Sequence, residues 1–176
     1  RYCLVLSNLG EHKKANKMAR RLRRNISLST TDRRAVSLVL GTTQLQSGKK
    51  AKGIARIQKT LEKLSSPEEH SWLQSRAKMA LAEELLLQAA QVELIPSRDL
   101  NDSLKERADL IIQAERQVQS IIALNEPEYA LKGLSKVADA MLVLYDDLIS
   151  AQAPSAFTKE QKELYQEQII EQAEFL

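Results

Sequence analysis

Lysine and arginine recur along two stretches of this chain at the spacing of one helix face. Lys13, Lys17, Arg20 and Arg24 stand at i, i+4, i+7 and i+11, and Lys52, Arg56, Lys59 and Lys63 form a second such row. Four cations on one side of a helix, twice over, make a basic patch. The chemistry open to such a patch is electrostatic attraction of an acidic protein surface, nucleic acid or anionic lipid headgroups. The same rows would serve equally as a solubilising outer face, so spacing alone leaves both uses open. Nucleic acid is the less favoured of the ligands, because no aromatic side chains interleave with the cations to stack bases and no reading module is present.

The remaining reactive residues assemble no catalytic centre. His12 and His70 have no second His or Cys at ligand spacing, so a surface or capping role accounts for both and no metal site is expected. The acid pairs Glu68-Glu69, Glu83-Glu84 and Asp146-Asp147 could suggest acid–base work, but adjacent helix positions diverge by about 100°. The lone Cys3 lacks a neighbouring His and does not read as a nucleophile. Gly41, Gly48 and Gly53 are spaced for turns and helix contacts, not for a phosphate loop. Trp72 reads as core or partly covered. No catalytic residue, cofactor site or enzyme activity is expected.

Composition sets the frame that must carry the cations. The chain has 176 residues, 43% hydrophobic and 28% charged, which is globular rather than disordered. Five Gly and four Pro leave room for long helices and little for many turns. No apolar run approaches the roughly 18 residues of a membrane span. The net charge of +3 hides an asymmetry: residues 1–63 carry 16 Lys and Arg against three acids, or +13, and residues 64–176 carry 10 against 20, or −10. One cysteine suits a reducing or an oxidising compartment, so location stays open. Arg1 reads as the middle of a helix, which suggests a piece of a longer chain.

Apolar periodicity predicts about eight helices. A short one covers residues 2–9 and a second 11–26, with Ala15, Met18, Ala19, Leu22 and Ile26 inward. A third covers 33–47 with Val36, Val39, Leu40 and Leu45, capped from Ser29-Thr30-Thr31-Asp32, and a fourth covers 49–64 with Ile54, Ile57, Leu61 and Leu64. Ser66-Pro67-Glu68-Glu69 reads as a capping box that starts a helix running to Leu94. Its Leu81, Leu85 and Leu87 should be covered on both sides. Helices over 102–124 and 127–151 follow, the latter with Leu131, Leu134, Ala138, Met141, Tyr145 and Leu148 as its seam. Thr158 and Gln161 form another capping box before a last helix ending near Ala173. Short links make neighbours antiparallel, giving about four hairpins.

Two of the hairpins look alike. Gly10 and Gly48 each close a helix and open a basic amphipathic one, at an offset of 38, while the cationic rows align at 39. A one-residue difference in the turn would reconcile them. The stretch 34–67 resembles one tetratricopeptide repeat: Leu40-Gly41 matches the apolar-small pair of its first helix, Gly48 the turn glycine, Gly53 the small contact position, Ile57 the large apolar one and Pro67 the closing proline. Ser37, Gln44 and Thr60 depart from the pattern. The ending, Phe157-Thr158-Lys159-Glu160-Gln161 with Leu164-Tyr165, is similar to segments of tetratricopeptide proteins from Gram-negative bacteria. The resemblance implies an all-α fold, a right-handed α-solenoid, forming a single domain over 1–176 with more regular basic repeats in 1–66 and longer, degenerate acidic hairpins in 67–176.

The same resemblance implies a protein–protein interaction scaffold, favours a periplasmic or cell-envelope assembly over the cytoplasm, and places a concave groove on first helices at Leu38, Thr42, Leu45 and Gln46. Second helices, with the basic rows, would lie on the convex side. The expected partner is an acidic protein or peptide, with self-association of basic end to acidic end as a competitor. Electrostatic binding of nucleic acid or an anionic membrane surface through residues 13–63 is the alternative.

Overall fold

The computed structural model describes residues 2–24, 27–64, 66, 69–94, 100–151, 153 and 156–173, with side chains as far as residue 171. Among these residues all regular structure is helical: α1 (Tyr2–Asn8), α2 (His12–Arg23), α3 (Thr30–Gln46), α4 (Lys50–Leu61), α5 (Ser71–Ala89), α6 (Leu100–Ile122), α7 (Pro127–Ile149) and α8 (Lys159–Ala173). Local chemistry accounts for most ends. Ser29 Oγ accepts the Asp32 amide at 3.0 Å and starts α3. Thr158 and Gln161 exchange their two bonds at 2.9 and 3.3 Å, the reciprocal cap expected ahead of α8. Asn125 takes φ +57° before Pro127 opens α7.

The start of α5 departs from the expected one. Pro67 and Glu68 lie outside the described residues, Glu69 is in a turn, and His70 sits at φ +58° before the helix begins at Ser71. The local capping signal is overridden by a tertiary pair, since the Glu69 carboxylate is buried against Arg34 at 3.1 Å. The helix also stops at Ala89, short of Leu94. Ile26 and the residues of 95–99 fall outside the described set.

The helices divide into two compact units that do not follow the charge boundary near residue 66: residues 1–81 with 117–130, and residues 82–116 with 131–176. In the first unit α1, α2, α3 and α4 pack in chain order. Cys3, Ala19 and Leu40 form one buried cluster, with Met18, Val36 and Val39 against it. Leu38, Leu45 and Ile57 form another with Ala77, Ala80 and Leu81 of α5. Met79, Ile121 and Ala130 make a third, flanked by Tyr129, whose ring meets Trp72 edge-on at 5.9 Å. Trp72 is 37% exposed and lies under Arg76, so it is partly covered.

The α3–α4 contact depends on two glycines. A Cβ on Gly53 would stand 2.6 Å from the Leu45 amide nitrogen, and one on Gly41 would stand 2.8 Å from Ile57 Cγ1. Only hydrogen fits where these backbones meet. The turns at the two hairpin bends are the same. Gly10, at φ +75°, and Gly48, at φ +82°, each donate to the carbonyl three residues back, while Glu11 and Lys49 donate to the carbonyls of Leu6 and Gln44. This double bond pattern requires a residue with positive φ at the fifth position, which glycine supplies without strain.

In the second unit Leu100, Leu148, Ala151 and Ile169 are buried together, with Leu104, Ile149 and Tyr165 against them. Arg107, itself buried, reaches Asp147 at 2.7 Å. The expected seam of α7 is not the covered one. Leu131, Leu134, Ala138, Met141 and Tyr145 are exposed, while Gly133, Val137, Leu144 and Leu148 are buried. The apolar arc of α7 spans both lines, and only one of them meets a neighbour. In α5, likewise, Leu85 is half-buried and Leu87 is 48% exposed. α8 turns Tyr165 and Ile169 inward and leaves Glu160, Glu163, Glu167 and Glu171 exposed on its other side.

Candidate basic cleft

Two helices project cations toward each other over the N-terminal half of a third. α2 contributes Arg20, Arg23 and Arg24, α3 contributes Arg33 and Arg34, and α4 contributes Lys52, Arg56 and Lys59, with Lys63 just beyond its end. These nine line one open cleft of about 1170 Å³, and no Asp or Glu lines it among the described residues. An adjoining cleft of about 590 Å³ carries Lys13, Lys17, Arg20, Arg21, Arg24 and Lys49. All eight residues of the two sequence rows therefore line one cleft or the other, and Arg20 and Arg24 line both.

The convergence comes from a difference in helix phase. Both basic helices begin two residues after their turn glycine, so no extra turn residue separates the repeats. The buried faces superpose at an offset of 38: Ala15 and Ala19 of α2 correspond to Gly53 and Ile57 of α4. The cationic rows instead align at 39, so one row is rotated by about 100° about its helix relative to the core. With unequal phases the two rows look into a shared cleft.

The floor is polar and built. Gln44 is 3% exposed, and its Oε1 accepts from Arg56 Nε at 3.0 Å. Thr60, also buried, donates to the Arg56 carbonyl at 2.7 Å. Ser37, Gln44 and Thr60, the three positions that depart from the apolar pattern of the repeat the stretch resembles, all line this cleft. Arg56 is half-buried; burial first, then repulsion from Arg23 and Arg20, push its guanidinium below the ordinary arginine value. Mutual repulsion among cations fixed at a common site is relieved by an anion between them. Arg34 is already engaged with Glu69.

The groove residues do not sit on an open surface. Leu38, Thr42 and Leu45 are 1%, 3% and 6% exposed, and only Gln46 is exposed, accepting from Ser7 Oγ at 3.0 Å. α5 covers Leu38 and Leu45 through Ala77, Ala80 and Leu81, which removes them from reach of a partner. Sequence reasoning missed Arg21, Arg23, Arg33, Arg34 and Lys49. The Ser29 cap was the available signal for two of them, because it sets Arg33 and Arg34 in the first turns of α3 beside the basic rows.

No further chemistry gathers elsewhere among the described residues. Cys3 is buried, and burial raises its thiol above the ordinary value, which suppresses the nucleophilic thiolate. No family model matches the chain, and no curated protein or solved structure matches it either.

Proposed function

We propose that this chain is a non-catalytic scaffold of tetratricopeptide-like hairpins, arranged as a right-handed α-solenoid, that holds an acidic protein segment in the cleft between α2 and α4. The observation that carries the reading is the convergence of nine Lys and Arg, without an acid among them, on one cleft. The matching glycine turns at Gly10 and Gly48 and the glycine contact between α3 and α4 support the repeat architecture. A protein partner is favoured over nucleic acid because no aromatic side chain lines the cleft to stack a base.

Titration with a fluorescent poly-glutamate peptide tests the proposal. Binding should weaken steeply with salt, since exposed charges are screened over about 8 Å at physiological ionic strength. Lys59→Glu with Lys63→Glu should reduce affinity at least tenfold and leave the helical circular dichroism unchanged. Both side chains are exposed, whereas reversing half-buried Arg56 would also disturb Gln44. Single-stranded RNA or anionic vesicles binding more tightly than the peptide, through the same lysines, would replace the acidic protein with a phosphate-bearing ligand. Absence of binding to all three would reduce the cleft to a solubilising surface.

A further inference from the structure

We infer that the acidic segment taken by the cleft is α8 of a second copy of this chain, an inference that rests on the cleft reading above. Glu160, Glu163, Glu167 and Glu171 are all exposed and recur at intervals of three, four and four residues, which places them along one side of α8. The opposite side is occupied by Tyr165 and Ile169, so the acidic row is held outward by the packing of its own unit. The row on α4, Lys52, Arg56, Lys59 and Lys63, has intervals of four, three and four. Each row spans eleven residues, about 16 Å at 1.5 Å per residue.

Laid antiparallel, the two rows match within one residue along their whole length. Glu171 meets Lys52, Glu167 meets Arg56, Glu163 falls beside Lys59 and Glu160 meets Lys63. Arg20, Arg23 and Arg24 flank the same cleft from α2 and add positive potential on the other side of the docked helix. The four glutamates require no rearrangement of α8, because none is buried. An interface between a cleft on one copy and a helix on the next is heterologous, so association continues head to tail into rings or open chains instead of stopping at a symmetric pair.

Sedimentation velocity on the whole chain, over a concentration series at low and high salt, reads this out. The wild type should form species that grow with concentration at low salt and return to monomer at high salt. Glu163→Lys with Glu167→Lys should be monomeric yet still bind poly-glutamate, because its cleft is intact. Lys59→Glu with Lys63→Glu should be monomeric and should also lose the peptide. Mixing the two variants should give a 1:1 dimer that grows no further, since only one intact cleft and one intact α8 remain to meet. Glu163→Gln with Glu167→Gln supplies the same break without adding cations, should the lysine pair perturb folding. A wild type that is monomeric at every concentration but binds the peptide would overturn this inference and leave the cleft reading standing. Loss of both would overturn both. Salt-dependent compaction independent of concentration, or self-association that survives the glutamate changes, would also overturn the α8 assignment.

Discussion

Gly53 shows how a single atom count governs the first unit. Alanine is the better helix former by about 1 kcal/mol, so Gly53→Ala would stabilise an isolated α4. In this packing the added methyl lands 2.6 Å from a backbone nitrogen and 2.8 Å from Leu45 Cα, and neither is the movable end of a side chain. Overpacking of that kind costs about 1–3 kcal/mol, and the net effect is expected to be a loss of stability of that order in chemical denaturation. A variant as stable as the parent would show that α3 and α4 separate freely. The role of Gly53 was legible because a glycine inside a helix sacrifices stability that close backbone approach restores. The fate of Leu38, Thr42 and Leu45 was not. Their spacing marks a face that wants cover, but nothing in residues 34–67 says that Ala77, Ala80 and Leu81 supply it.

At the level of helices, existence and ends were readable wherever a local device sets them, as with Ser29, Gly48, Pro127 and Thr158. The start of α5 was not, because a buried ion pair between Arg34 and Glu69 outweighs a capping box worth about 1 kcal/mol. The covered face of α7 was misjudged for a related reason: an apolar arc wider than one neighbour's footprint does not reveal which line that neighbour meets. The consequence is measurable. Leu148, fully buried, should lose roughly 2–5 kcal/mol on truncation to Ala. Leu142, 63% exposed, should lose less than about 0.5 kcal/mol. Equal losses in urea unfolding would mean that the exposed line of α7 is covered in solution.

For the molecule as a whole, net charge is a poor guide to behaviour. A +13 segment and a −10 segment sum to +3, and each retains its own field beyond the screening length. The chain should therefore be retained on both cation and anion exchangers at pH 7 and low salt. Lys59→Glu with Lys63→Glu changes the charge by two at each site, from +3 to −1. It should elute earlier from the cation exchanger and later from the anion exchanger. Retention on the cation exchanger alone would show that the averaged charge governs.

The phase difference between α2 and α4 also bears on how such a chain can diverge. Two perfect copies of one hairpin would carry their cations at the same angle to the core, and the rows would run side by side as a stripe. Here a single step of helical register separates charge from packing, so the enclosure is a product of imperfect copying. Inserting one alanine between Asn16 and Lys17 would shift Lys17, Arg20 and Arg24 by one position and turn them by about 100°, while total charge stays constant. Selection on such a chain can thus open or close a binding cleft by sliding a pattern along a helix, without inventing a new residue.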